Sequence, residues 1–333
     1  MRRTKPWYFW LLSGCAALLF LPPLLTFGFG ALVIVMGKLS GAKYALAREL
    51  TYDLSADGKR VVFALNNPLS ILELATGKCT TIDTPGFPRV LAYPALSPEG
   101  KAVAYSAESD LWLASLDGKS VLRLTHDDTY SEFRPRFSPD GQKLVFARPK
   151  NNPIAPTGVF WSDSDVWTIR RDGTELRQLT HGKYREVSGA QFTPDGSMVV
   201  FAARVPTDDL GGSRQALFEV DAQGKQPPRE LFGRKPEDIG GSFVHDPSLS
   251  ADGTRFVILS DKANPFHYDL CLLQRDGSGF QALGLAGPAE KGAFEQPRFA
   301  PDGKTIFYLW KDALWQVSIA GKNAHAVAPL TVQ

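Results

Sequence analysis

The chain has 333 residues, 44% of them apolar, which suffices for one large folded domain with a substantial core. Its formal net charge of +2 falls to −1 once Arg2, Arg3 and Lys5 are set aside, so the body lacks the basic field that nucleic-acid binding needs. The cysteines Cys15, Cys79 and Cys271 lie far apart, without a C-x-x-C pair or a histidine at metal spacing. Neither a disulfide framework nor a metal or cofactor site is expected.

Residues 1–6 form a short basic tail. From Trp7 to Met36 there is no charged side chain over thirty residues. At about 1.5 Å of rise per residue, a helix of that length exceeds the roughly 30 Å hydrocarbon core of a bilayer. A transmembrane anchor or uncleaved signal is expected over 7–37, with a linker over 38–46. Cleavage after the small-x-small triplet Ala45-Leu46-Ala47 is the alternative, although that triplet lies well beyond the apolar run. Leu12-Ser13-Gly14-Cys15 has the form of a lipoprotein box but is followed by apolar residues, Ala16 to Phe20, where a polar stretch would be expected. Arg2, Arg3 and Lys5 precede the span, and Lys38, Lys43 and Arg48 follow it. The charge bias favours a cytoplasmic N-terminus and a periplasmic or extracellular remainder. Pro22-Pro23 kinks one helix in this reading; a hairpin of two short segments is the other topology it permits.

Beyond the linker, one tetrapeptide recurs six times: Ser55-Ala56-Asp57-Gly58, Ser97-Pro98-Glu99-Gly100, Ser138-Pro139-Asp140-Gly141, Thr193-Pro194-Asp195-Gly196, Ser250-Ala251-Asp252-Gly253 and Ala300-Pro301-Asp302-Gly303. Proline sets the first corner of a type I turn, aspartate favours the second, and glycine supplies a left-handed residue, so each copy predicts a tight turn between two strands. The third and fifth residues after each glycine are apolar, as in Leu144 and Phe146, which places them on one strand face. A second glycine follows at Gly77, Gly118, Gly173, Gly224, Gly277 and Gly321. Six residues before it stand Ile71, Trp112, Trp167, Phe218, Cys271 and Trp315, read as one buried position on a third strand. With a fourth strand such as Val121 to Thr125, each repeat holds four strands in about 40–57 residues. The expected fold is all-β: a six-bladed propeller of four-stranded antiparallel blades over residues 47–331, preceded by one transmembrane helix.

The pattern x-Pro-x-Phe-Ser-Pro-Asp-Gly-Lys, Asp-Leu-Trp, Asp-Gly, Arg-Leu-Thr, clearest in Arg134 to Gly141 with Asp165 to Thr180, resembles the WD-like repeat of TolB-like β-propellers. The resemblance covers about residues 47–330 and implies the propeller fold. TolB proteins carry a small α/β domain before the propeller, and here the apolar segment stands in its place. Unrelated binders and peptidase-linked propellers share this repeat, so it implies little about function.

In such a blade the turns between strands one and two and between three and four share one face, while the two-to-three loops and the blade connections share the other. The spacing between the two glycines of a repeat is 19, 18, 32, 28, 24 and 18 positions for blades one to six, so the extra loop lies on the second face in blades three to five. Loops of this kind usually carry binding. The candidates are Phe160 and Trp161 in Pro149 to Asp163, Asp208 and Asp209 in Val205 to Arg214, and Phe266, His267 and Tyr268 in Asp261 to Asp269. Folding back over the blade edge is the alternative role for the aromatic tips. Pro94, Pro135, Pro247 and Pro297 mark the innermost strands, because a strand edge on the channel can forgo an N–H. The residues before them, Tyr93, Glu132, Arg134, His245, Asp246, Glu295 and Gln296, are expected to ring the channel mouth, as a ligand site or as a solvated lining.

No G-x-S-x-G elbow is present. His126 and His181 each follow a Leu-Thr pair, so their recurrence reflects the repeat rather than a metal. His245-Asp246 with Glu295 offers one base-and-acid set. The expected function is a non-enzymatic scaffold that binds an envelope protein or peptide, without nucleic acid. A carbohydrate-binding or carbohydrate-active propeller, with a sugar or small molecule in the channel, is the alternative.

Overall fold

The computed structural model describes residues 50–64, 69–82, 91–150, 163–182, 184–206, 213–232, 244–261, 268–285, 294–311 and 313–330, all within the compact unit Arg48–Gln333. Blade 1 comprises β1 (Thr51–Leu54), β2 (Arg60–Ala64), β3 (Leu69–Glu73) and β4 (Cys79–Thr81). Blade 2 comprises β5 (Leu91–Leu96), β6 (Ala102–Ala107), β7 (Asp110–Ser115) and β8 (Val121–Arg123). Blade 3 comprises β9 (Phe133–Phe137), β10 (Lys143–Pro149), β11 (Ser164–Arg170) and β12 (Arg177–Gln178). Blade 4 comprises β13 (Arg185–Phe192), β14 (Met198–Pro206), β15 (Ser213–Asp221) and β16 (Arg229–Phe232). Blade 5 comprises β17 (Val244–Leu249), β18 (Arg255–Ser260), β19 (Asp269–Gln274) and β20 (Gln281–Ala282). Blade 6 comprises β21 (Glu295–Phe299), β22 (Thr305–Trp310), β23 (Ala313–Ser318) and β24 (His325–Pro329). Each sheet takes its four strands in sequence order, so among the described residues the propeller has six contiguous blades and no exchanged strand.

The six tetrapeptides are the turns between first and second strands. Each glycine is left-handed, from φ +62° at Gly303 to +71° at Gly196 and Gly253, and donates its N–H to the residue three back at 2.8–3.0 Å. The turn also satisfies itself through side chains. Ser138 Oγ donates to Asp140 at 2.5 Å and accepts the Lys143 N–H at 2.9 Å, and Ser55, Thr193 and Ser250 repeat the arrangement. These bonds hold the turn carboxylates below their ordinary range; the hydroxyl of Thr193 leads at Asp195 and that of Ser250 at Asp252, each lowered to about 2.

The aspartate that opens a third strand has a matching task. Asp110 accepts from Thr125 at 3.1 Å and Asp165 from Thr180 at 2.5 Å, while each threonine hydroxyl accepts a backbone N–H of the same third strand, Leu111 at 2.9 Å and Val166 at 3.0 Å. The Asp-Leu-Trp and Leu-Thr pieces of the repeat are thus two ends of one clamp.

The apolar pairs after the turn glycines are fully buried, Phe63, Tyr105, Phe146, Phe201 and Tyr308 among them, and fill the layers between adjacent sheets. Each contributes about 1.5–3 kcal/mol of burial. The ring closes on a cluster shared by the two ends of the chain, Leu50, Tyr52 and Phe63 from blade 1 with Phe307, Leu314 and Leu330 from blade 6.

Blade 1 corrects one expectation. In blades 2 to 6 the aromatic or cysteine of the third strand lies opposite the fifth residue after the turn glycine, as Tyr105 opposite Trp112. In blade 1, Phe63 faces Ser70, and Ile71 lies opposite Val62. Gly77 bonds back four residues to Glu73, where the other blades bond back three, so counting back six residues from the glycine falls one short. A one-residue slip turns the side chain to the other sheet face; Ile71 accordingly packs toward blade 2.

The extra length of blade 4 is spent partly on strand. β14 and β15 run nine residues each and stay in register to Pro206 opposite Ser213. Phe160, Trp161, Asp208, Asp209, Phe266 and His267 lie outside the described residues, as does the apolar segment 7–37. Among the described residues no helix is long and apolar enough to cross a membrane.

Candidate functional site in the channel

The innermost strands share a backbone device. Four residues before each turn tetrapeptide stand Thr51, Tyr93, Arg134, Gly189, Asp246 and Gln296, and all but Thr51 are left-handed, with φ of +54°, +59°, +60°, +47° and +50° in chain order. At each of these five the inner strand gains one residue on its partner, as where Ala92 to Ala95 spans Ser106 to Ala104. This is a β-bulge, which kinks the strand and re-aims its side chains. Four of the five residues are not glycine, and each such conformation costs on the order of 1–3 kcal/mol. The proline that follows Tyr93, Arg134, Asp246 and Gln296 is the sequence mark of the bulge. Blade 4 adds a second bulge at Glu186, φ +51°.

Two residues before each tetrapeptide stand Asp53, Ala95, Arg136, Gln191, Ser248 and Arg298. Where this side chain is an acceptor, it caps the next blade: Asp53 takes the Leu96 N–H at 3.1 Å, Gln191 that of Leu249 at 3.2 Å, and Ser248 that of Phe299 at 3.2 Å. Arg136 and Arg298 cannot accept. Arg136 instead skips blade 2, whose corresponding residue is Ala95, and pairs with Asp53 of blade 1. Arg134 likewise skips blade 4, whose corresponding residue is Gly189, and pairs with Asp246 of blade 5. Long side chains in blade 3 thus reach across positions held by small ones.

Arg298 ends differently. Its Nη1 donates to the neighbouring Pro297 carbonyl at 2.8 Å, while its Nε is buried with no acceptor among the described residues. No carboxylate lies within 4.0 Å of it among the described ion pairs. Burial first, and the Arg136 guanidinium second, lower its pKa to about 9. Tyr52, Tyr93, Arg134, Arg136, Gln296 and Arg298 line one narrow pocket with Pro94 and Pro135. Tyr52 donates to the Gln296 carbonyl at 2.9 Å, and the Gln296 amide donates to Leu50 at 3.1 Å and accepts the Tyr52 N–H at 3.4 Å. These bonds fix the wall between blades 6 and 1. The Arg134 guanidinium lies 5.0 Å from the centre of the Tyr93 ring.

Of the residues expected at the mouth, Tyr93, Arg134 and Gln296 line this pocket, and Asp246 joins it through Arg134. Glu132 does not open on the channel. It is fully buried, accepts from Arg148 at 2.7 Å and lies 3.2 Å from the Thr125 hydroxyl, and its partner Arg148 is held between the Tyr130 and Trp167 rings at 4.3 and 4.6 Å. Glu295 is exposed at the start of β21. His245 packs edge-on against Tyr268, 6.2 Å between ring centres. The Val244 N–H binds Gln215 Oε1 at 2.6 Å, so Gln215 Nε2 faces His245 Nε2 at 3.1 Å. Amide nitrogen only donates, so His245 Nε2 accepts and the imidazole carries its proton on Nδ1. Burial first, then Arg134 and Arg204, lower its pKa to about 3. Of the set His245, Asp246 and Glu295, the imidazole is thus held neutral and engaged by Gln215, and Asp246 is ion-paired to Arg134.

Tyr52, Asp53, Arg136 and Arg298 are not among the residues the sequence marked. For Arg136 and Arg298 the signal is the charged residue between proline and phenylalanine in Pro135-Arg136-Phe137 and Pro297-Arg298-Phe299; both line the pocket.

A model of the TolB β-propeller domain matches residues 94–332. Tricorn protease homolog 2 of Streptomyces coelicolor is 28% identical over 273 residues, covering 68% of this chain and 22% of that protein. A TolB homolog of Chlorobium luteolum is 26% identical, over 29% of each chain. The chain thus spans about a fifth of the tricorn relative's length. Among solved structures, TolB from Acinetobacter baumannii superposes with a TM-score of 0.59 at 19% identity, covering 87% of this chain and 66% of its own. The tricorn protease superposes with a TM-score of 0.60 at 16% identity, covering 85% of this chain and 26% of its own. At such identity these likenesses carry the fold alone. With the family model matching most of its length, the chain belongs to the TolB β-propeller family.

Proposed function

We propose that this propeller is a non-enzymatic scaffold that receives a protein or peptide at the channel mouth. The observation that carries the reading is the row of five left-handed bulge residues, four of them not glycine; three of those four, Tyr93, Arg134 and Gln296, line one pocket, and the fourth, Asp246, is ion-paired to Arg134. Strained backbone persists where the surroundings enforce it, and it clusters at binding sites. Relatives named as proteases make peptide the best-supported ligand class. The apolar segment Trp7 to Met36 serves as the membrane anchor in this proposal, with the propeller on the extracytoplasmic side of a bacterial envelope.

The test is cross-linked capture by the full-length chain in intact cells. The paired replacement Arg134→Gln with Asp246→Asn removes both charges without leaving either alone, and is expected to lower capture at least tenfold. Lys119→Glu, exposed beside the turn at Gly118 on the opposite face, is expected to leave capture unchanged. Capture that survives the paired change, or that fails with Lys119→Glu, assigns binding to the wrong face. Turnover of an oligosaccharide that disappears with His245→Ala would make the protein an enzyme instead. Alkaline carbonate washing is expected to leave the full-length chain with membranes; its release would remove the anchor.

A further inference from the structure

We infer that the pocket between Tyr52, Tyr93, Arg134, Arg136, Gln296 and Arg298 is a carboxylate site, which holds an acidic group of a bound peptide; the inference rests on the channel-mouth reading above.

Three guanidinium groups meet two carboxylates there. Asp246 is taken by Arg134 and Asp53 by Arg136, and Asp53 also caps the Leu96 N–H. Arg298 has no carboxylate of its own among the described residues, and its buried Nε has no acceptor. A buried donor left unsatisfied is costly. A planar guanidinium presents two parallel N–H groups that match a carboxylate.

The other polar groups of the wall narrow the ligand class. The Gln296 amide is committed to Leu50 and to the Tyr52 N–H, and the Tyr52 hydroxyl donates to the Gln296 carbonyl. Neither offers the spread of donors and acceptors that a neutral sugar requires. The pocket is also narrow, with room for little more than a water-sized group, which excludes a pyranose ring. The lowered pKa of Arg298 agrees with this, since an anion at its fork would offset both its burial and its repulsion from Arg136.

The source of the carboxylate is a chain end or an acidic side chain, and the two are separable. Titration of full-length protein in detergent with N-acetyl-dialanine and with its C-terminal amide is expected to show at least tenfold tighter binding of the free acid. An amidated dipeptide ending in aspartate that binds as well as the free acid identifies the side chain as the source, whereas one that binds like the plain amide identifies the terminus. Arg298→Gln is expected to abolish the acid-over-amide preference. Should that variant fail to fold, Arg298→Lys keeps the charge but loses the fork, and a several-fold drop in preference is expected. Equal binding of acid and amide, an unchanged preference in either variant, or tighter binding of inorganic phosphate than of the free acid overturns the inference. Equal binding with capture still lost in the Arg134→Gln, Asp246→Asn chain would sink the carboxylate site alone. Preserved acid preference with unaffected capture would sink the scaffold reading and leave the site.

Discussion

The rim turns and the channel positions just upstream of them belong to the same repeat, yet they satisfy their polar groups in opposite ways. At the rim four of the six turns are self-sufficient: serine or threonine, aspartate and glycine bond within about five residues, with almost the same side-chain geometry in each. In the channel the backbone bulge recurs, and Asp53, Gln191 and Ser248 each cap the next blade, but the charged side chains find partners blade by blade. Asp53 reaches Arg136 across 83 residues, Arg134 reaches Asp246 across 112, and Arg298 reaches no carboxylate among the described residues. Where local bonds suffice, the repeat is preserved; where groups from six blades converge, each position depends on what the others left open. Individuality at a shared position is what a binding site needs, and the rim has less of it.

The contrast breaks most severely at Gly189. A Cβ there would stand 2.4 Å from Pro247 Cδ and 2.7 Å from its carbonyl oxygen, on a left-handed backbone of φ +60°. Gly189→Ala is expected to destabilise by about 2–4 kcal/mol in urea unfolding. Asp53→Ala comes next, at about 2–3 kcal/mol, because it strips Arg136 of its counter-charge and the Leu96 N–H of its acceptor. On the rim, Gly141→Ala keeps a left-handed φ of +68° and brings a Cβ to 3.2 Å from the flexible Glu99 carboxylate, so about 1 kcal/mol is expected. Glu99→Gln, which breaks an exposed pair with Arg171, is expected to cost about 0.5 kcal/mol by the same measurement. A rim change that outweighs both channel changes would end the distinction.

Acid sharpens it. His245 has a folded pKa of about 3 against an ordinary 6.5, so between those values the unfolded chain takes up a proton that the folded chain refuses. Its contribution to stability is complete above about pH 6.5 and is lost as pH falls toward 3. Asp195 and Asp252 at the rim, lowered from 3.8 to about 2, lose theirs only below about pH 4. The melting temperature of the wild type is therefore expected to fall between pH 6.5 and 4 relative to that of His245→Asn. Parallel curves for the two chains would show that the imidazole is not held neutral.

Six blades, their turns and the inward apolar pairs were legible in the sequence because each rests on bonds between near neighbours, where residue type and spacing determine the geometry. The slip at Ile71 shows the limit of counting: the glycine marked the turn, but one extra turn residue decided which sheet face the side chain took. Tyr93, Arg134, Asp246 and Gln296 could be found from the proline after them, since proline and the bulge occupy the same stretch of inner strand. Glu132 and Arg298 could not be sorted the same way. Whether a charged side chain near the channel is buried against a partner, like Glu132 with Arg148, or left facing a pocket, like Arg298, depends on residues in other blades. Closing the ring puts those residues side by side, so only the tertiary structure decided which charges were paired.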